Sequence, residues 1–388
     1  MMASATFNSS LWRLIKIALL AIHGVIGFLY IQHFHTSLSS NEYEHVNGVT
    51  RIVIPDAFLY KDIIDVDNVF VSIGLSGVKN TIGPSLLWVL ADFNWYIVFC
   101  MNLVFLLLIV YYMERLAEQY GIRKSNAQYA VIATLLMPVI SYYSIGALKE
   151  LPTTFMLLGF IYYTNASRFR LATIFVITLF LFRYQLLVVL LLFFLGLQFG
   201  KNQLKFTMTL LMALSAIFPI LIFFDLTSSS TTQLYRDEYG VAGSLGGIVE
   251  VIRNEIFIVS AAAVIVRVFQ SLFEPFISLL GTASFYEDGS FSVFTFSHVI
   301  SLVIMVPYIV NFAKRFVASF DKRSPPSLMT QKIYSLLLIL LFTVGGFSFI
   351  HHRYLVPIFP LLIIASLIPR AKFTEASSSL VRIRSVSV

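Results

Sequence analysis

Cysteine is almost absent. The single one, Cys100, lies inside an apolar run, so no disulfide framework exists. Charge is scarce as well: 12% of the 388 residues are Asp, Glu, Lys or Arg, where soluble domains carry about 25%. Acid is the rarer sign, with 20 Asp and Glu against 27 Lys and Arg. No Walker loop, G-x-G-x-x-G fingerprint or serine-nucleophile motif occurs. No sequence repeat recurs at a fixed period. No small-x-small cleavage site follows the apolar run Ile17 to Ile31; His33-Phe34-His35 does, and the N-terminus reads as an uncleaved first span. What remains is apolar: 58% of residues, with 37 Phe and 19 Tyr and a mean hydropathy of +0.84. That composition belongs to polytopic membrane proteins, with rings facing lipid and sitting at headgroup level. The net charge of +7 has no basic, aromatic-interleaved soluble domain behind it, which excludes nucleic acid as a partner. Lys and Arg instead mark the cytoplasmic side of a bilayer.

The pattern predicts an all-α membrane protein of about ten spans, forming one transmembrane domain over 1–370, with a disordered cytoplasmic tail over 371–388. Span 1 is Leu11 to Ile31, with Arg13 and Lys16 at its inner end. A long acidic outer loop follows, about 32–92, closing with Gly83-Pro84 as a turn into span 2, Phe93 to Met113. Arg115, Arg123 and Lys124 form a basic inner loop before span 3, Ala127 to Ala147. Lys149-Glu150 then marks the outer face, and span 4, Thr153 to Ala166, returns to Arg168 and Arg170. Leu171 to Gly200 has one charge, Arg183, at its middle. Two full spans need about 40 residues, so two short helices meeting at Arg183 inside the bilayer fit the basic flanks better than one long tilted helix. Span 7 is Phe206 to Leu226, and a second outer loop occupies about 227–290. Within it, Ile256 to Leu280 must start and end outside, and reads as a re-entrant or interfacial helix bent at Pro275. Phe291 to Phe312 empties into Lys314 and Arg315. Span 9, from Lys332 to Ile350, leads to His351-His352-Arg353-Tyr354 outside, and span 10 is Leu355 to Ile368. Both termini are then cytoplasmic.

This orientation collects a mixed set on the outer face: Asp56, Lys149, Glu150, Arg183, Arg236, Arg353 and Tyr354. The inner loops are almost purely basic. A carboxylate there can act as general base on a hydroxyl, while cations neutralise a phosphate or diphosphate leaving group. Arginine suits that role because its fork binds two oxygens at once. Each residue also has a plain reading. Asp56 is one acid among several, Lys149-Glu150 is a helix-end ion pair, Arg183 snorkels, and Arg353 anchors to headgroups beside Tyr354. Adjacent His351 and His352 point apart on a helix and have no third ligand nearby, so no metal or other cofactor is indicated.

The layout resembles the GT-C superfamily of polytopic glycosyltransferases. The resemblance rests on Pro55-Asp56 with Tyr60 four residues on, in a long loop after span 1, and on Gly83-Pro84 before span 2. It rests further on Ser144 to Glu150 with its Lys-Glu pair, on Leu181-Phe182-Arg183, and on the Arg353-Tyr354-Leu355-Val356-Pro357-Ile358-Phe359-Pro360 run. It covers most of residues 1–190 and 345–370. It implies a polyprenyl-linked sugar donor, a glycan or lipid-linked acceptor, Asp56 as catalytic base, and substrate contacts from Tyr60, Lys149, Glu150, Arg183, Arg236, Arg353 and Tyr354. The first loop has a single Pro-Asp rather than the Asp-Glu pair of many members, and no large soluble domain follows. That departure points toward the small bacterial proteins of surface-polysaccharide (O-antigen or capsule) assembly, in the inner membrane with other assembly proteins as partners. Repeat-unit polymerases share the architecture and stay open as an alternative. A transporter or flippase of lipid-linked sugars is the non-enzymatic alternative, which should place polar groups at mid-membrane on broken helices.

Overall fold

A computed structural model describes residues 2–40, 82–146, 148–183, 185–223, 293–320, 326–347 and 352–369. Everything regular among them is helical. In chain order the α-helices are α1 (Met2–Ser40), α2 (Ile82–Leu90), α3 (Trp95–Gln119), α4 (Lys124–Leu135), α5 (Pro138–Ser144), α6 (Glu150–Asn165), α7 (Phe169–Phe182), α8 (Gln185–Leu197), α9 (Gln203–Phe223), α10 (Val293–Ala318), α11 (Leu328–Phe347) and α12 (Phe359–Leu367). Two 3-10 segments, Gly200–Asn202 and His352–Ile358, precede α9 and α12. Among the described residues three stretches, Ser10–His33, Trp95–Gln119 and Phe296–Ala318, are long and apolar enough to cross a membrane; Phe169–Phe182, Leu328–Val344 and Leu355–Leu367 are apolar but shorter. The chain therefore has the character of a helical membrane protein. The predicted tail 371–388, the 256–280 segment and most of both outer loops lie outside the described residues.

The short α12 is the hub of the bundle. Phe359 to Ser366 are all buried, and the helix packs against α3, α4, α6, α10 and α11. A helix that is apolar all round has no face to give to water and belongs in the middle. Pro360 falls in its first turn, where a missing N–H costs nothing. Its last carbonyls are taken by its neighbour, since Asn311 Nδ2 donates to Ser366 O and Arg315 donates to Ile368 O, both from α10. By contrast α1 turns much of its apolar surface outward: Leu14, Ile17, Val25 and Leu29 are each more than half exposed. That is the surface a lipid-facing helix presents.

Basic residues gather at one end of the bundle. There Lys16 of α1 pairs with Glu114 near the end of α3. Asn165 at the end of α6 donates to Tyr120 Oη (2.9 Å), and Lys332 of α11 donates to Thr164 O (3.2 Å). Arg123, Lys124 and Arg168 fill the turns at the same end.

Several predicted boundaries shift. The Gly83-Pro84 turn is helical instead, inside α2. Pro84 again lies in a first turn, where no N–H is required. The true turn is Ala91 to Asn94, where Asp92 and Phe93 adopt φ of 49° and 55°. Asn94 then caps α3 by accepting from Tyr96 N at 2.9 Å. Helix continues into both ends of the predicted 32–92 loop, as the last turns of α1 and as α2. Span 3 is not one helix: it breaks between α4 and α5 at Pro138. The last span is part 3-10, because Pro357 and Pro360 cannot both sit in a regular α-helix.

Candidate functional site

Arg183 sits where α7 ends. Its backbone leaves the helical region (φ −150°, ψ 81°) while its amide still donates to Leu179 O at 2.8 Å. Leu186 N then donates to Arg183 O at 2.9 Å, so α8 starts at once. The chain reverses within a few residues, as expected for two short helices meeting at Arg183. The guanidinium turns inward: Nη2 donates to Glu150 Oε1 at 3.1 Å, with the Glu150 side chain fully buried and that of Arg183 only 7% exposed. Two opposite charges are thus held together inside the bundle, which requires close mutual geometry to offset their lost hydration.

Glu150 is placed by its own helix start. It lies in the first turn of α6, where a carboxylate meets the positive end of the helix dipole. Pro152 in the same turn needs no N–H partner, and Thr154 Oγ1 donates to Glu150 O at 2.7 Å. Lys149, also buried, precedes it. The approach to this helix start is fixed by Asn102, a fully buried residue in the middle of α3. Its Nδ2 donates to Ser144 O (2.8 Å) and to Gly146 O (2.7 Å), taking up carbonyls where α5 ends.

Two further segments converge on this corner. The first is α2, which packs against α7. A Cβ at Gly83 would come within 2.6 Å of the Phe182 ring, so only glycine permits this approach next to Arg183. The residues following the acidic loop are thereby held beside the ion pair. The second is the 3-10 segment His352–Ile358, which packs against α6 and carries Arg353 and Tyr354. Of the predicted set, Lys149, Glu150 and Arg183 are brought together, and the segment bearing Arg353 and Tyr354 joins their helix. Asp56, Tyr60 and Arg236 lie outside the described residues.

A second polar cluster surrounds the Pro138 break. Pro138 interrupts the helix ladder, and the freed groups find side chains from two other helices. Val139 N donates to Ser301 Oγ of α10 at 3.2 Å, and Leu135 O accepts from His23 Nε2 of α1 at 2.7 Å. A carbonyl can only accept, so His23 Nε2 carries a proton, and Nδ1 bonds Ser141 Oγ of α5. Next to them Tyr143 Oη and His298 Nε2 are 3.3 Å apart.

Sequence reasoning missed Asn102, His23 and His298. Asn102 and His23 are each a lone polar residue in an apolar run, and His298 stands in one beside Ser297 and Ser301; the cost of polar groups inside a membrane is the available signal. Among the described residues no three His, Cys, Asp or Glu side chains group to hold a metal ion. The corner offers fixed cationic groups and a carboxylate that orients one of them, an arrangement able to bind and neutralise an anionic group. Comparison with protein-family models, curated proteins and solved structures finds no match.

Proposed function

We propose that the protein is a membrane glycosyltransferase that moves a sugar or oligosaccharide from a polyprenyl-phosphate or -diphosphate donor to an acceptor hydroxyl in surface-polysaccharide assembly. The observation carrying this reading is the buried Glu150–Arg183 pair (3.1 Å), with Lys149 beside Glu150 in the sequence. It lies at the end of α6 opposite the basic turns. In this reading the basic end is cytoplasmic, both termini are inside, the chain makes about ten spans in the inner membrane, and the pair faces the outer interface. Arg183, Lys149, Arg353 and Arg236 grip the donor phosphate, Glu150 holds Arg183 in position, and Tyr60 and Tyr354 contact the sugar or lipid. Asp56 takes the proton from the acceptor hydroxyl. The acceptor oxygen bonds to the anomeric carbon, the bond from that carbon to the phosphate oxygen breaks, and the cations neutralise the departing phosphate. A repeat-unit polymerase would run the same chemistry on a longer acceptor.

One observation favours a second reading, a transporter of lipid-linked sugars. The α4–α5 break at Pro138 has histidines from α1 and α10 around it, and broken helices with polar groups mark transport sites. Glycan profiling of the host carrying Asp56→Asn, with Asp67→Asn as control and both proteins at normal membrane abundance, separates the readings. Loss of one sugar from an otherwise complete glycan supports single transfer, and accumulation of single repeat units supports polymerisation. An unchanged profile removes Asp56 from the mechanism and moves the transporter forward.

A further inference from the structure

At the other end of the bundle, α8, α9 and α11 enclose a group of polar side chains with unused hydrogen-bonding capacity. Gln203 opens α9, and Thr207 lies one turn further along the same face. Ser335 lies one turn beyond Gln331 on α11. Leu204 N donates to Gln331 Oε1 at 3.4 Å, so the two helices start level with each other. Since α9 and α11 both begin at this contact and pack together beyond it, they run in the same direction. Thr207 and Ser335 are therefore each one turn deeper along neighbouring helices. On the third side is Gly196 of α8, where a Cβ would stand 3.5 Å from both Gln203 Cγ and Thr207 Oγ1. The bare backbone of α8 thus forms a wall against the two side chains.

The relative exposures of Gln203, Thr207 and Ser335 are 0%, 1% and 0%. Gln203 Nε2, Gln203 Oε1, Thr207 Oγ1 and Ser335 Oγ make no hydrogen bond to any other residue among those described. The great majority of buried polar atoms in proteins have a hydrogen-bond partner, and each one left alone is costly. Four such atoms at one helix junction call for a ligand that both donates and accepts. The ligand is neutral, because α8, α9 and α11 contain no Asp or Glu, and of their two lysines Lys205 is exposed and Lys332 donates away from the group, to Thr164 O. We propose that this junction is an internal hydration site, in which one or two ordered water molecules bridge Gln203, Thr207 and Ser335. A buried water typically makes about three hydrogen bonds, which the amide and two hydroxyls supply.

The test uses the full chain in detergent or lipid nanodiscs and compares Gln203→Met, Thr207→Val and Ser335→Ala with the triple variant. If water is bound, each single change removes one of its partners and lowers the thermal midpoint by roughly 2–4 °C. The triple variant then falls by less than the sum of the three, because the water leaves together with all its partners. A dry cluster gives the opposite sign: each single variant deletes an unsatisfied group and raises the midpoint, which overturns the proposal. Additive losses overturn it as well. A structure at a resolution that shows water supplies the second reading. Density for a single oxygen within about 3 Å of at least two of these side chains is expected, and empty space or a larger molecule refutes it.

Discussion

The Glu150–Arg183 pair gives the sharpest test of the site. At 3.1 Å and an effective dielectric of about 20, two unit charges attract by about 5 kcal/mol. Desolvation of both groups offsets much of this, so the pair adds little net stability compared with apolar residues of similar size. The asymmetry is what can be measured. Glu150→Leu leaves the Arg183 charge buried without its carboxylate partner, and Arg183→Met leaves the Glu150 carboxylate in the same position. Each single change should cost about 3–5 kcal/mol. The double variant Glu150→Leu/Arg183→Met should be less destabilised than the sum of the two by about 2–3 kcal/mol. Unfolding of the purified protein in mixed micelles, followed by helical circular dichroism as denaturing detergent is titrated in, reads all four corners of the cycle. Reversibility is checked by dilution. Additive single effects, or a coupling below about 0.5 kcal/mol, would refute the claim that the two charges meet inside the bundle.

Two other perturbations probe how the corner is held. In Asn102→Asp the amide that donates to Ser144 O and Gly146 O becomes an acceptor facing two carbonyls; the variant should lose about 1–3 kcal/mol of stability, and under the proposed function glycan transfer should fall further than its membrane abundance does. Gly83→Ala forces a methyl to within 2.6 Å of the Phe182 ring and should cost about 1–3 kcal/mol, whereas Gly24→Ala in α1, with nothing within 4 Å of its added Cβ, should be neutral or stabilising by up to about 1 kcal/mol; the same unfolding titration separates the two.

The sequence revealed some of this through the expense of its residues. A single charge, Arg183, in the thirty residues 171–200 points to a break there, and the helices do break at Arg183. Lys149-Glu150 stood out for the same reason. The partnership between Glu150 and Arg183 was not legible, because it depends on α6 packing against α7, and many apolar faces would pack equally well by composition. Gly83 is legible as a special position, but the local sequence Gly83-Pro84 reads as a turn. Its need is a close approach to Phe182 from another helix, and nothing in the local sequence reports that. Pro138 was hidden by hydropathy, since Met137-Pro138-Val139 is as apolar as its surroundings. His23, which answers the resulting break, lies more than a hundred residues earlier in the chain. Asn102 escaped notice because its partners are backbone carbonyls, which leave no mark in a side-chain pattern.

The two helix breaks, compared, separate scaffold from site. Every interrupted helix inside a membrane frees backbone groups that must be satisfied. At Pro138 a hydroxyl and an imidazole satisfy them, since Ser301 takes the amide of Val139 and His23 takes the carbonyl of Leu135. At Arg183 the described backbone hydrogen bonds are local, to Leu179 O and from Leu186 N. Yet there the chain buries a guanidinium and a carboxylate, the most costly pair to take out of water. The first break shows that this fold can turn a helix inside the bundle with a hydroxyl and an imidazole in place of an ion pair. In the proposed function the charge at the second fixes a cation where the anionic substrate group arrives.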